Sequence, residues 1–167
     1  MKKVLIIVDM QDYFLKNMDA KTKKEFIGNI IPIVKKCQDK NIPIIELEYA
    51  GVGKSRGKTI SRLHSMYKSY STIIKKSNGG FTRTKLDQDL RNLKAKEVIL
   101  VGINANGCIQ DTAIGALNRD YKVVTSLGAI GNTWSNDLNL SKNNLKWYQE
   151  NTKLLNSTKE LRDYISK

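Results

Sequence analysis

Val98-Ile-Leu-Val-Gly-Ile-Asn-Ala-Asn-Gly-Cys108-Ile-Gln-Asp-Thr-Ala113 is the stretch on which the fold turns. Val98–Val101 is an unbroken apolar run, the pattern of a strand buried on both faces. Gly102, Asn104, Asn106 and Gly107 then form a turn, and Ile109, Ala113, Ala116 and Leu117 recur at helical spacing. Cys108 falls where this helix begins. Helix N-termini present amide N–H groups and partial positive charge, which favours a thiolate there and predicts a lowered thiol pKa. The competing reading is a buried structural cysteine.

The flanking segments extend the same alternation. Val4–Val8 reads as a strand ending at Asp9, followed by an irregular turn over Met10–Phe14. Thr22 and Glu25 form a capping-box pattern ahead of a helix whose inner face carries Phe26, Ile27, Ile30, Ile31, Val34 and Cys37, with a kink expected at Pro32. Ile42–Leu47 and Ser71–Ile74 are the second and third strands, the latter closing in Lys75-Lys76. Between them lie a glycine-rich loop over residues 50–58, read as mobile, and a short helix over residues 59–68. Thr84 and Asp87 are positioned to cap a helix carrying Leu86, Leu90 and Leu93. Tyr121–Ser126 is a fifth strand and residues 128–137 a loop. Leu140–Glu150 is helical, Lys153–Leu155 a short sixth strand, and Ser157 with Glu160 caps a last helix. Alternating strands and helices predict an α/β fold with a mostly parallel sheet covered on both faces. The 167 residues suit one domain over residues 1–167, without repeat or interdomain linker.

In such sheets ligands bind beyond the carboxyl ends of the strands. Asp9, Lys75 and Cys108 all follow strand ends, so a parallel sheet gathers them on one rim. A thiolate is the attacking species in covalent cysteine catalysis, an ammonium favours it, and a carboxylate can shuttle the proton. Amides of the turn before Cys108 can form an oxyanion hole. An Asp, a Lys and a Cys therefore suffice to hydrolyse an amide, with no cofactor.

Three motifs carry a resemblance. They are Val8-Asp9-Met10-Gln11-Asp12-Tyr13-Phe14, then Ile74-Lys75 with Gly79-Gly80-Phe81-Thr82-Arg83-Thr84-Lys85-Leu86, then Gly102 to Ala113. In this order they resemble the isochorismatase-like cysteine hydrolases, which include nicotinamidases and carbamoylsarcosine amidases. The resemblance implies a three-layer αβα sandwich with a six-stranded parallel sheet ordered 3-2-1-4-5-6. It implies Cys108 as nucleophile, Asp9 as acid and base, and Lys75 as the partner that lowers the thiol pKa. It implies a cis peptide before Asn104, oxyanion binding by the amides of Asn104 and Cys108, a small-molecule amide, ureide or carbamoyl substrate, and a homo-oligomer. Phe14 and Phe81 are pocket residues by the same match, and Tyr49 and Trp134 by their places after strand ends.

The sequence departs from the family pattern in three places. Asn104-Ala-Asn-Gly stands before the cysteine, Leu127-Gly128-Ala129 lacks an aspartate, and Glu46-Leu47-Glu48-Tyr49 replaces the metal-binding Asp and His cluster of nicotinamidases. The single histidine, His64, makes no multi-ligand metal site alone, so no metal is expected. Arg83 is an anchor for a substrate carboxylate or a solvated residue. Two other functions compete: a noncatalytic binding module on this fold, and an isochorismatase-type vinyl-ether hydrolase, against which the cysteine argues.

Composition bounds the rest. The apolar run after Met1-Lys-Lys stops at Asp9, too short for a membrane span and without a small-residue cleavage site. Two dissimilar cysteines suggest no disulfide framework, so a reducing cytoplasm and no membrane partner are expected. Net charge is +13, but the lysines are scattered and no nucleic-acid motif accompanies them. A specific nucleic-acid partner is not expected.

Overall fold

The apolar runs form the inner strands of a parallel sheet. A computed structural model describes residues 2–51, 56–134 and 138–167. The path runs β1 (Lys3–Val8), α1 (Asp12–Leu15), α2 (Ala20–Asp39), β2 (Ile44–Tyr49), α3 (Ser61–His64) and β3 (Ser71–Lys75). It continues through α4 (Leu86–Asn92), β4 (Glu97–Ile103), α5 (Cys108–Leu117), β5 (Lys122–Ser126), β6 (Ile130–Gly131), α6 (Lys142–Asn151), β7 (Lys153–Leu155) and α7 (Thr158–Ser166). The strand order is β3-β2-β1-β4-β5-β7 and every pairing is parallel. With β7 as the sixth strand of that path, the order is the expected one. The sheet holds a seventh strand, because β6 pairs with β4. β5 pairs with β4 only from Glu97 to Ile99, and β6 takes up the free edge at Gly102 and Ile103. Two residues inside a glycine-containing loop carry no readable strand pattern.

Side-chain alternation along β1 sorts the core into two layers. Leu5 and Ile7 face a cluster with Phe26, Ile30, Val34 and Cys37 of α2 and Leu161 and Ile165 of α7. Val4, Ile6 and Val8 face the opposite cluster, with Leu86 and Leu90 of α4 and Ile109, Ala113 and Ala116 of α5. These are the two helical layers of the expected sandwich.

Two local readings change. The Met10–Phe14 turn contains the single helical turn α1. α2 starts before the expected Thr22 box: Asp19 caps it, accepting from the amides of Lys21 (2.9 Å) and Thr22 (3.0 Å), and Thr22 Oγ1 donates to Asp19 (2.6 Å). The helix then runs through Pro32 as one twenty-residue element. Residues 52–55 of the glycine-rich loop, on which its expected mobility rests, lie outside the described residues. Among the described residues no helix is long and apolar enough to cross a membrane.

Candidate active site

Asp9 follows the last residue of β1 and adopts a left-handed backbone, φ +52°. Such a conformation costs a non-glycine residue about 1–3 kcal/mol. Its amide still donates to the Leu47 carbonyl at 2.9 Å, which anchors the turn to β2. Next to it, Gly102 on β4 has φ +121°, and a Cβ there would lie 2.1 Å from the Val8 carbonyl oxygen. Glycine is what allows the two strand ends to meet.

Lys75 ends β3, two strands away from β1. Adjacent strands lie about 4.8 Å apart, so only a long side chain crosses β2 to reach Asp9. The ammonium sits 2.8 Å from Asp9 Oδ2, with both side chains buried, and also donates to the Ser77 carbonyl at 3.2 Å. It lies 4.6 Å from the centre of the Tyr49 ring, a cation–π contact. Lys76, the next residue along the chain, is exposed.

Cys108 is the first residue of α5 and 8% exposed. The peptide between Ile103 and Asn104 is cis. Asn104 Oδ1 accepts from the Thr133 amide (2.8 Å) and hydroxyl (3.0 Å). The Ala105 amide donates to the Gly131 carbonyl (2.8 Å) and the Asn106 amide to Asn132 Oδ1 (3.2 Å). The unusual residues before the cysteine are thus fastened to the segment that follows β6. From the helix side, Thr112 Oγ1 donates to the Cys108 carbonyl (2.6 Å) and accepts from the Gly80 amide (2.9 Å).

Electrostatics reverse one expectation. Burial pushes the Cys108 thiol up to about 12; the Asp9 charge adds to the rise and Lys75 opposes it. Burial and the Asp9 charge thus favour the thiol, and the lowering pull of Lys75 does not offset them. Desolvation likewise raises the Asp9 carboxyl, against the lowering pull of Lys75. Asp9 Oδ1 is buried without a hydrogen-bond partner. The thiol is the neighbour whose proton it can take. Cys37 is also raised to about 12, by burial alone among apolar side chains, and is fully enclosed.

The four expected pocket residues part company. Phe14 and Tyr49 meet edge to face at 6.0 Å beside Lys75, so both stand at the site. Phe81 instead packs into the core under α5: its ring stacks on Tyr121 at 6.2 Å and would lie 2.7 Å from a Cβ on Gly115. Trp134 is 78% exposed. Arg83 is exposed. Sequence reasoning missed two contributors. Gln11 is buried and clamps the Tyr49 backbone, donating to its carbonyl (3.2 Å) and accepting from its amide (2.8 Å), and also donates to the Gly57 carbonyl (2.7 Å). Asn78 places Oδ1 3.8 Å from Cys108 Sγ. Gln11 stood inside a quoted motif, whereas nothing in the sequence marks Asn78.

β2 itself carries the two carboxylates, Glu46 and Glu48, that stand where the nicotinamidase metal cluster would be expected. Glu46 accepts from the Tyr67 hydroxyl (2.7 Å) and the Thr72 hydroxyl (2.8 Å), and His64 Nδ1 lies 2.9 Å away. Glu48 accepts from the Thr59 amide at 2.6 Å. These carboxylates are committed to internal partners. Among the described residues no three His, Cys, Asp or Glu side chains gather as a metal-binding group.

Comparison with known proteins settles the family. The isochorismatase domain matches residues 3–149. The chain belongs to the isochorismatase family, and it is a hydrolase of that family. Nicotinamidase 3 of Arabidopsis thaliana is 21% identical over 145 residues, 75% of this chain and 71% of that protein. The fold matches N-carbamoylsarcosine amidase from Thermoplasma acidophilum with TM-score 0.79 and 18% identity, over 93% of this chain and 96% of that one. It matches a cysteine hydrolase from Pseudomonas syringae pv. phaseolicola with TM-score 0.83 and 18% identity, over 99% and 92% of the two chains.

Proposed function

We propose that this isochorismatase-family protein is a cysteine amidohydrolase that cleaves a C–N bond of a small amide, ureide or carbamoyl compound. The observation that carries the reading is the buried Lys75–Asp9 pair, at 2.8 Å, beside a thiol on the first residue of a helix. Similarity to a nicotinamidase and a carbamoylsarcosine amidase points the same way.

The raised thiol pKa shapes the mechanism. Asp9 Oδ1 takes the proton from Cys108 as Sγ attacks the substrate carbonyl, and the amides of Asn104 and Cys108 receive the developing oxyanion. Asp9 returns that proton to the nitrogen as the C–N bond breaks, releasing the amine and leaving a thioester on Cys108. Water then attacks the thioester carbonyl and Asp9 accepts its proton. Collapse expels the sulfur, which takes the proton back. Lys75 keeps Asp9 ionised and aimed, and acts on the thiol through it. Phe14 and Tyr49 supply the apolar wall. The substrate is a small molecule, and the active species is a homo-oligomer.

The test is release of ammonia or amine from a panel of small amides, ureides and carbamoyl compounds, by the wild type and by Cys108→Ala. Release that disappears in a folded Cys108→Ala protein supports the reading. Equal release by both proteins, or none by the wild type across the panel, returns the choice to a vinyl-ether hydrolase or a binding module.

A further inference from the structure

The lysines that are scattered in sequence are not scattered in space. A parallel sheet places all its strand starts on one rim, and here each strand of the main path has a lysine at or just before its start. These are Lys2 and Lys3 at β1, Lys40 before β2, Lys68 before β3, Lys94 and Lys96 before β4, Lys122 at β5 and Lys153 at β7. All but the half-buried Lys3 are exposed. Lys2 and Lys96 stand side by side on neighbouring strands, and Lys122 lies one residue on, aligned with Glu97. The Lys96 amide donates to the Lys2 carbonyl at 2.9 Å, and the Lys122 amide to the Lys96 carbonyl at 3.0 Å.

Lys3 and Lys153 lie against the Tyr164 ring, each 4.4 Å from its centre, and Lys122 is aligned with Glu97, whereas Lys2 and Lys96 face each other as like charges on adjacent strands, which repel. Few acids oppose these lysines. Glu97 is buried and already accepts from the Tyr164 hydroxyl (2.6 Å), and Asp39, Asp120 and Glu150 are the exposed acids among these strand starts. Two adjoining grooves score the rim. One, of about 480 Å³, is lined by Lys2, Lys3, Lys40 and Lys167 with Leu93 and Ile165; the other, of about 540 Å³, carries Lys68 and Tyr70. Both share Asn41, Ile42 and Pro43, so the track is continuous. The starts of three adjacent strands, β3, β2 and β1, make this track about 10 Å wide; the β5 and β7 starts line a separate groove, where Lys122 and Lys153 lie among Glu97, Asp120 and Glu150. Tyr70, 46% exposed, offers a ring beside the charge.

We propose that this rim, opposite the strand ends bearing Cys108, is a second functional surface that binds single-stranded nucleic acid through its phosphates without reading base sequence. A basic track with an accessible aromatic ring is the physical pattern of such sites, where phosphates pair with the cations and bases stack. An anionic membrane would be met by the same charge, but the apolar residues of these grooves are recessed between lysines and do not project.

The test is anisotropy of fluorescein-labelled 20-nucleotide strands with the full chain. With four phosphates neutralised, affinity falls about fifty-fold between 50 and 200 mM salt. Oligo-dT, oligo-dC and a mixed sequence bind within a few-fold of one another. The triple variant Lys2→Glu/Lys40→Glu/Lys68→Glu loses at least ten-fold, and Tyr70→Ala about five-fold. The control Lys24→Glu/Lys35→Glu/Lys159→Glu, with the same change in net charge on other surfaces, stays within about three-fold of wild type. If the rim triple fails to fold by circular dichroism, Lys2→Gln/Lys40→Gln/Lys68→Gln replaces it, with the same direction expected. No binding at 50 mM salt overturns the proposal. So does equal loss in the rim and control triples, which would show a net-charge effect only, and so does capture by phosphatidylserine vesicles without binding to the oligonucleotides.

Discussion

Replacing Lys75 by Met probes the site through stability and activity at once. The ammonium and Asp9 Oδ2 are 2.8 Å apart and both side chains are buried, so solvent screens the pair little. Removing one partner of such a pair costs about 3–5 kcal/mol, because the remaining charge is stranded. Asp9 is already raised by desolvation, and without Lys75 it rises further. The sign follows. A carboxyl whose folded pKa exceeds its unfolded value binds more protons when folded, so stability falls as pH climbs from about 3.9 to the folded pKa. Each further unit of rise widens that window and adds about 1.4 kcal/mol. The deficit of Lys75→Met relative to wild type therefore grows as pH rises, to about 3–5 kcal/mol at most, and is larger at pH 8 than at pH 5. In a chain of this size the full deficit is a drop in Tm of roughly 6–20 °C. Thermal unfolding at the two pH values reads it directly. Turnover falls because a larger share of Asp9 holds a proton and cannot take another. Lys76→Met, on an exposed side chain, changes stability by less than about 0.5 kcal/mol and leaves turnover intact. The double change Asp9→Asn/Lys75→Met recovers much of the lost stability while remaining inactive. A deficit independent of pH, or full turnover by Lys75→Met, would refute the coupling of these two residues.

Asp9→Asn removes the charge that helps hold the thiol up, so in a Cys37→Ser background Cys108 reacts with iodoacetamide faster at pH 8 than the parent does, although turnover is lost; slower alkylation would show that Asp9 favours the thiolate. Asn104→Ala cuts both bonds to Thr133 and loosens the loop before the nucleophile: turnover falls at least ten-fold with about 1–2 kcal/mol of stability lost, read by kinetics and chemical denaturation. Gly102→Ala sets a methyl group 2.1 Å from the Val8 carbonyl, and the protein is destabilised by more than about 4 kcal/mol or does not fold, as soluble yield and circular dichroism would show.

The parts of this fold that rest on repeated pattern were legible in the sequence. Runs such as Val4–Val8 and Val98–Val101 are apolar because both faces of a central strand are covered, and parallel pairing then puts Asp9, Lys75 and Cys108 on one rim. Strand side chains alternate, so only one of the adjacent Lys75 and Lys76 can turn inward, and Lys75 is the buried one. What failed depended on contacts distant in sequence. β6 exists because β5 leaves part of β4 uncovered, a fact of register. Phe81 turns into the core because Gly115 leaves room for its ring. The expected lowering of the thiol pKa left out burial and the Asp9 charge, both of which raise it. Asn78 reaches Cys108 through a turn that no pattern announces. The lysine rim was invisible for the same reason: its members are adjacent only once the strands are aligned.

The covalent role of Cys108 is the centre of the account. Once the panel has supplied a substrate, mass spectrometry of acid-quenched enzyme during turnover tests that role most directly. The account predicts a mass increase equal to the acyl group less one hydrogen, located on the peptide containing Cys108, lost on treatment with hydroxylamine and absent from Cys108→Ala. Steady turnover by Cys108→Ala, or an adduct mapping to any other residue, would contradict it.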